Sequence, residues 1–214
     1  MLIDQKLTEY LENAKRPEPL PGGGSVSAYV GALGAALNIM VYELSVGKKS
    51  YEALPEETRK EIVEGVDSLN KIIEDLKPLV DEDSKSFDAV LDAYKLPKET
   101  EEEKAARSEA IQKGFIHALK VPLRIAELCV EALDLVETFA KNGNIHAITD
   151  VGCGVLMLAT GAEGALFNVY INLKSIKDEQ ARAEYNKEAD ALLKTARELR
   201  DGYLHIVYER LENE

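Results

Sequence analysis

The chain is 214 residues long, 45% hydrophobic and 30% charged, the balance of a globular protein able to bury a substantial core. Its formal charge of −13 argues against nucleic acid or an anionic membrane surface as the main partner, but not against a small anion met by locally concentrated cations. Two cysteines, Cys129 and Cys153, lie in apolar runs and suit buried thiols in a reducing compartment better than a disulfide framework. No basic segment followed by an apolar one opens the sequence, so the expectation is a cytoplasmic protein.

Every segment reads as helix. Asp4 to Ala14 carries apolar residues at Leu7, Tyr10, Leu11 and Ala14, a short amphipathic helix that the prolines at 17, 19 and 21 bring to a stop. Pro21-Gly22-Gly23-Gly24-Ser25 follows. Consecutive glycines cost about 1 kcal/mol each inside a helix, but serve where backbone passes close to something else. Ser25 reads as the N-cap of a helix running to about Val46, with Gly47 beyond its end. Small residues recur every fourth position in that helix, at Ser27, Gly31 and Ala35 and at Ala28, Ala32 and Ala36, so neighbours can approach on two sides. The run from Ser25 to Tyr42 has no charge and approaches a membrane span in length. Its Gly and Ala content, with Asn38 inside, favours a buried core helix. A helix start left bare by glycines also offers N–H groups and a positive dipole end to an anion. The spacing is neither that of a P-loop nor that of a dinucleotide fold.

A long helix is expected from about Pro55 to Tyr94, with the seam Ile62, Val66, Leu69, Ile73, Leu76, Val80, Asp83, Phe87, Val90, Tyr94 and a bend at Pro78. Asp83 is the one seam member that is not apolar. An unpaired carboxylate there would cost several kcal/mol or take up a proton. Asp83 therefore faces a wet gap, pairs with a cation, or lines a polar pocket with a raised pKa. Leu96-Pro97-Lys98 breaks the chain, and an acidic turn opens the next helix. That helix has a seam from Ile111 to Phe139, is kinked or divided at Pro122, and ends at Asn142-Gly143-Asn144. A second nearly uncharged helix, Val151 to Leu173, has Thr149 as its expected cap, Asp150 at its head and glycines at 152, 154, 161 and 164. Asn168 and Asn172 share one face of it, as pegs between helices or as ligand contacts. A last helix spans about Asp178 to Leu211. The predicted architecture is all-α: one domain over residues 1–214, an antiparallel bundle of long helices with the two small-residue helices buried.

The three histidines are scattered, with neither H-E-x-x-H nor C-x-x-C spacing, so a metal site is not expected. What remains is carboxylates and amides near glycine-rich helix starts, a set suited to proton transfer and to gripping a polar heterocycle.

Pro-Gly-Gly-Gly-Ser-Val at 21–26 running into Gly-Ala-Leu-Gly-Ala-Ala-Leu at 31–37 resembles the formimidoyltetrahydrofolate cyclodeaminase family, which includes stand-alone methenyltetrahydrofolate cyclohydrolases. Asp83 with Phe87, Leu96-Pro97-Lys98, the acidic run to Arg107 with Pro122, and Asp150 through Asn172 match it in order. Glu163 departs from the small or apolar residue expected there, and puts local packing in doubt or marks an extra polar contact. The resemblance implies an all-α homodimer acting on a tetrahydrofolate substrate, with no metal and no permanently bound cofactor. It implies cyclodeaminase activity, giving 5,10-methenyltetrahydrofolate and ammonia, with cyclohydrolase activity as the alternative. A competing reading from another class is a non-catalytic helical dimer that binds folate or a protein partner, against which the in-seam Asp83 counts. On the resemblance, Asp83 is the principal proton-transfer residue and Asp150 a second carboxylate. Gly22, Gly23, Gly24 and Ser25 offer N–H groups, Asn168 and Asn172 contact the ligand, and Lys98 or Arg107 meets the glutamate tail or is ordinary surface charge.

Overall fold

Apolar residues spaced three and four apart wind into helices throughout. The computed structural model describes residues 1–17 and 21–213, and no strand occurs among them. In chain order the helices are α1 (Leu7–Ala14), α2 (Gly23–Glu43), α3 (Lys49–Glu52), α4 (Glu56–Ser86), α5 (Asp88–Lys95), α6 (Glu101–Asp134), α7 (Glu137–Asn142), α8 (Ile148–Leu173) and α9 (Glu179–Asn213). The helix breaker expected at Pro17–Pro21 falls largely on Glu18, Pro19 and Leu20, outside the described residues.

α2 and α8 form the centre and run antiparallel. Gly34 meets the backbone of Gly154 and Leu158, Gly31 and Gly161 close on the Cys129 thiol, and Gly23 faces Asn168. A β-carbon on Gly34 would fall 2.8 Å from the Gly154 carbonyl oxygen, so the small-residue stripe is what allows the two backbones to touch. Asn38, fully buried, donates to the Gly34 carbonyl and fills the space over Gly154. α4 and α6 flank this pair, and α9 covers α8. Both central helices are long and apolar enough to cross a membrane, and about half of each is buried against the rest of the chain.

Several boundaries differ from the sequence expectation. Ser25 is not a cap: α2 begins two residues earlier on an extended Gly22, which leaves Ser25 buried inside the first turn. Gly47 has positive φ, but four residues past the helix end, after a turn through Leu44 to Val46. Thr149 lies within α8 and makes no cap, because a short 3₁₀ turn at Ile145–Ala147 leads straight into the helix. The helix predicted to reach Tyr94 stops at Ser86 and restarts at Asp88, whereas α6 continues through Pro122. Thr100 closes a capping box with Glu103 at the start of α6. Glu163 makes an extra polar contact, an ion pair with Arg197 that ties α8 to α9.

Candidate active site

The two glycine-rich helix starts do not come together at one site. Because α2 and α8 are antiparallel, the glycine-rich start of α2 meets the last turns of α8 and of α4. There Asp83 reaches across from α4. Its Oδ2 accepts the Ser25 backbone N–H at 3.0 Å, and a β-carbon on Gly24 would overlap its carboxylate. The helix start bared by the glycines is thus already answered by a carboxylate of the same chain. Ser25 and Ser84 share a hydrogen bond between hydroxyls at 2.8 Å, and the Ser86 hydroxyl donates to the Asp83 carbonyl. Burial pushes the Asp83 carboxyl above its ordinary pKa, and the Ser25 N–H pulls it part of the way back. The result is a carboxyl group held closer to neutrality than a surface aspartate.

Asp83 lines a cavity of about 570 Å³, within the range that takes a drug-sized ligand. One wall is Gly22, Gly23, Asp83 and Ser84. A second is Phe87, Asp88 and Leu91, and a third is Phe115 with Ala118. Asn168, Ile171, Asn172 and Ser175 close it from the end of α8. The Phe87 and Phe115 rings meet edge to face at 6.0 Å. The Asn168 amide nitrogen donates to Gly164 of its own helix, whereas Asn172 reaches the Ala118 carbonyl of α6 at 3.4 Å and so pegs two helices together at the cavity wall.

A second cavity of about 400 Å³ adjoins the first, sharing Phe115 and Ser175 as lining residues. It is basic, lined by Lys104, Arg107 and Lys177. Arg107 donates to the Tyr94 carbonyl and lies over that ring, 5.3 Å from its centre. Lys104 is paired with Glu101, but among the described residues neither Arg107 nor Lys177 has an ion-pair partner. Gln112 fixes this wall by donating to the Ser175 carbonyl and accepting the Lys177 N–H.

Four expected site residues line neither cavity. Gly24 and Ser25 are buried behind the Asp83 carboxylate, which packs on Gly24 and takes the Ser25 N–H, so neither offers its N–H to a ligand. The other two lie farther away. Asp150 sits in the first turn of α8, eighteen positions before Asn168, about 27 Å along the axis, and lines neither cavity. Spacing in sequence put it beside glycines, but at the opposite end of the helix from the cleft. Lys98 is exposed in the loop before α6 and also lines neither cavity. Conversely, Ser84, Asp88, Phe115 and Lys177 line the cavities, although no periodicity in the sequence singles them out. Among the described residues no three His, Cys, Asp or Glu side chains come together as metal ligands would.

Comparison with known proteins agrees with this architecture. Residues 6–191 match the family profile described as formiminotransferase-cyclodeaminase. A methenyltetrahydrofolate cyclohydrolase of Methylorubrum extorquens is 37% identical over 213 residues, spanning 100% of this chain and 99% of that protein. The formimidoyltransferase-cyclodeaminase of Mus musculus is 35% identical over 196 residues, 92% of this chain but 36% of that longer protein. The crystal structure of a formiminotetrahydrofolate cyclodeaminase from Thermotoga maritima superposes with a TM-score of 0.78 at 26% identity, covering 99% of this chain and 98% of that one. On the profile, the relatives and the shared fold together, this chain belongs to the formiminotransferase-cyclodeaminase family.

Proposed function

We propose that this protein is a tetrahydrofolate one-carbon enzyme acting on the carbon that bridges N5 and N10, and that Asp83 moves the proton. The observation that carries the reading is Asp83 itself. It is a half-buried carboxyl with raised pKa, anchored through one oxygen to Ser25 and set in the wall of a cavity of ligand size. A group poised nearer neutrality both takes and gives a proton at little cost.

The end-to-end match with a cyclohydrolase favours hydrolysis of 5,10-methenyltetrahydrofolate. Water adds to the methenyl carbon and loses a proton to Asp83. The carbon–N5 bond then breaks and N5 takes that proton. The hydroxyl proton leaves as the formyl C=O forms, so one proton is released overall. The second reading, cyclodeamination, is favoured by the Thermotoga neighbour. There N10 attacks the carbon of the formimino group in its protonated, amidinium form. Asp83 carries the N10 proton to the departing nitrogen, which leaves as ammonia while the methenyl cation keeps the positive charge. The purified protein given each folate separates them: loss of the methenyl chromophore marks the first, ammonia release with its appearance the second. A protein that does neither with either substrate is not this enzyme.

In this reading Gly22, Gly23 and Asn168 bound the ligand, Asn172 braces the wall, and Arg107 with Lys177 receives the glutamate carboxylates. The active unit is a homodimer. Support comes from apolar side chains left exposed along the central helices, Leu33 and Met40 on α2 with Leu44 just past its end, and Leu156 and Phe167 on α8. Surfaces of this kind, repeated by a two-fold axis, suit a second copy of the chain. Free thiols at Cys129 and Cys153 fit a cytoplasmic location, which cell fractionation tests.

A further inference from the structure

The break at Phe87 has a consequence that proton transfer by Asp83 does not use. On an uninterrupted helix, a side chain five residues beyond Asp83 would stand about 140° round the axis. Instead α4 ends at Ser86, α5 starts at Asp88, and Asp88 lines the same cavity as Asp83. The two carboxylates differ in what they have left to offer. One oxygen of Asp83 is taken by the Ser25 N–H. Asp88 is exposed, and among the described residues neither of its oxygens has a hydrogen bond or an ion pair. An acid in a first helical turn complements the dipole, and its charge is felt at a distance by Lys95 near the end of α5, which is itself paired with Asp92; neither gives Asp88 a contacting partner. Apolar surface flanks it: Phe87, Leu91 and Phe115 line the same space.

We propose that Asp88 is a specificity-determining residue that recognises the 2-amino-4-oxopyrimidine edge of the pterin, accepting the amino N–H and the neighbouring ring N–H through its two oxygens. The proposal rests on the tetrahydrofolate reading above. The pterin edge presents two parallel donors, and a carboxylate with both oxygens free matches them as it matches the fork of an arginine. Asp83, with one oxygen committed, can offer only a single acceptor there. The layout also keeps charges apart. Tyr94, in the wall of the basic cavity, lies six residues along α5 from Asp88, about 9 Å. Asp88 and the cations that would receive the tail carboxylates therefore line separate, adjoining cavities.

Equilibrium binding of tetrahydrofolate and of its analogue with hydrogen in place of the 2-amino group tests this, in the wild type, Asp88→Asn and Asp92→Asn. Asp92 carries the same charge on α5, is paired with Lys95, and does not line this cavity. The wild type and Asp92→Asn should prefer the 2-amino ligand by roughly 10- to 100-fold, the discrimination expected of a charge-assisted pair. Asp88→Asn should lose most of that preference, raising KM while leaving kcat at saturation near wild type. Because the readout is a ratio within each protein, partial misfolding cancels from it. Retention of the full preference by Asp88→Asn, or a fall in kcat with KM unchanged, overturns the proposal while leaving the folate reading intact. A wild type that binds neither ligand overturns both.

Discussion

The Ser25 backbone N–H donates to Asp83 Oδ2 at 3.0 Å, joining the first turn of one central helix to the last turns of α4. This contact makes Gly24 a geometric requirement, since a β-carbon there would overlap the carboxylate. Gly24→Ala should cost about 1–3 kcal/mol of stability through overpacking, and most of the activity, because Asp83 must move. Urea unfolding and turnover measured on the same preparation check it. A variant that keeps wild-type activity would mean the Asp83 position is not critical.

Asp83→Asn should lower kcat by about 10²–10⁴-fold with smaller change in substrate affinity, as expected of a proton-transfer group. Its effect on stability has a definite sign. Burial raises the folded-state pKa of Asp83 above the unfolded value, so the native state holds the proton longer than the unfolded chain. As pH rises between those two values the wild type loses stability, and above the folded pKa the whole cost is present. The asparagine variant escapes that cost. Its melting temperature relative to wild type should therefore increase from pH 3 to pH 7, and a constant difference would contradict the burial argument.

Arg107 and Lys177 face a cavity in an acidic protein without ion-pair partners among the described residues. Replacing each with alanine should raise KM for a glutamate-bearing folate roughly 10-fold per residue, the scale of one charge-assisted contact. KM for a pterin substrate lacking the tail should stay unchanged. Equal effects on both substrates would place the tail elsewhere.

The Tyr10 hydroxyl is buried against Tyr29 and, among the described residues, has no hydrogen-bond partner. Burial, with Tyr29, Asp81 and Asp83 near, pushes its pKa to about 12. Tyr10→Phe should be neutral or stabilise by up to about 1–2 kcal/mol, because an unsatisfied polar group is removed. A loss above about 1 kcal/mol in denaturant titration would show that the hydroxyl is engaged.

Phe167 is 65% exposed on the outer face of α8. If a second copy covers it, Phe167→Glu buries a charge in an apolar contact and should shift the protein to monomer by sedimentation analysis. An unchanged assembly would remove this face from the interface.

Helix content and the two core helices were legible in the sequence because apolar and small residues recur at the helical period, and burial follows that period. Asp83 was legible for the same reason, as a charge in a row of apolar residues. The partners of these groups were not. Whether the start of α2 meets the start or the end of α8 depends on the direction of packing, which decides that Asn168 borders the cleft and that Asp150 lies at the far end. The break at Phe87 carries no glycine or proline of its own, yet it turns Asp88 into the cavity wall. Periodicity is a property of one helix at a time. Which ends come together, and which carboxylate is left with both oxygens free, is settled only when the helices pack.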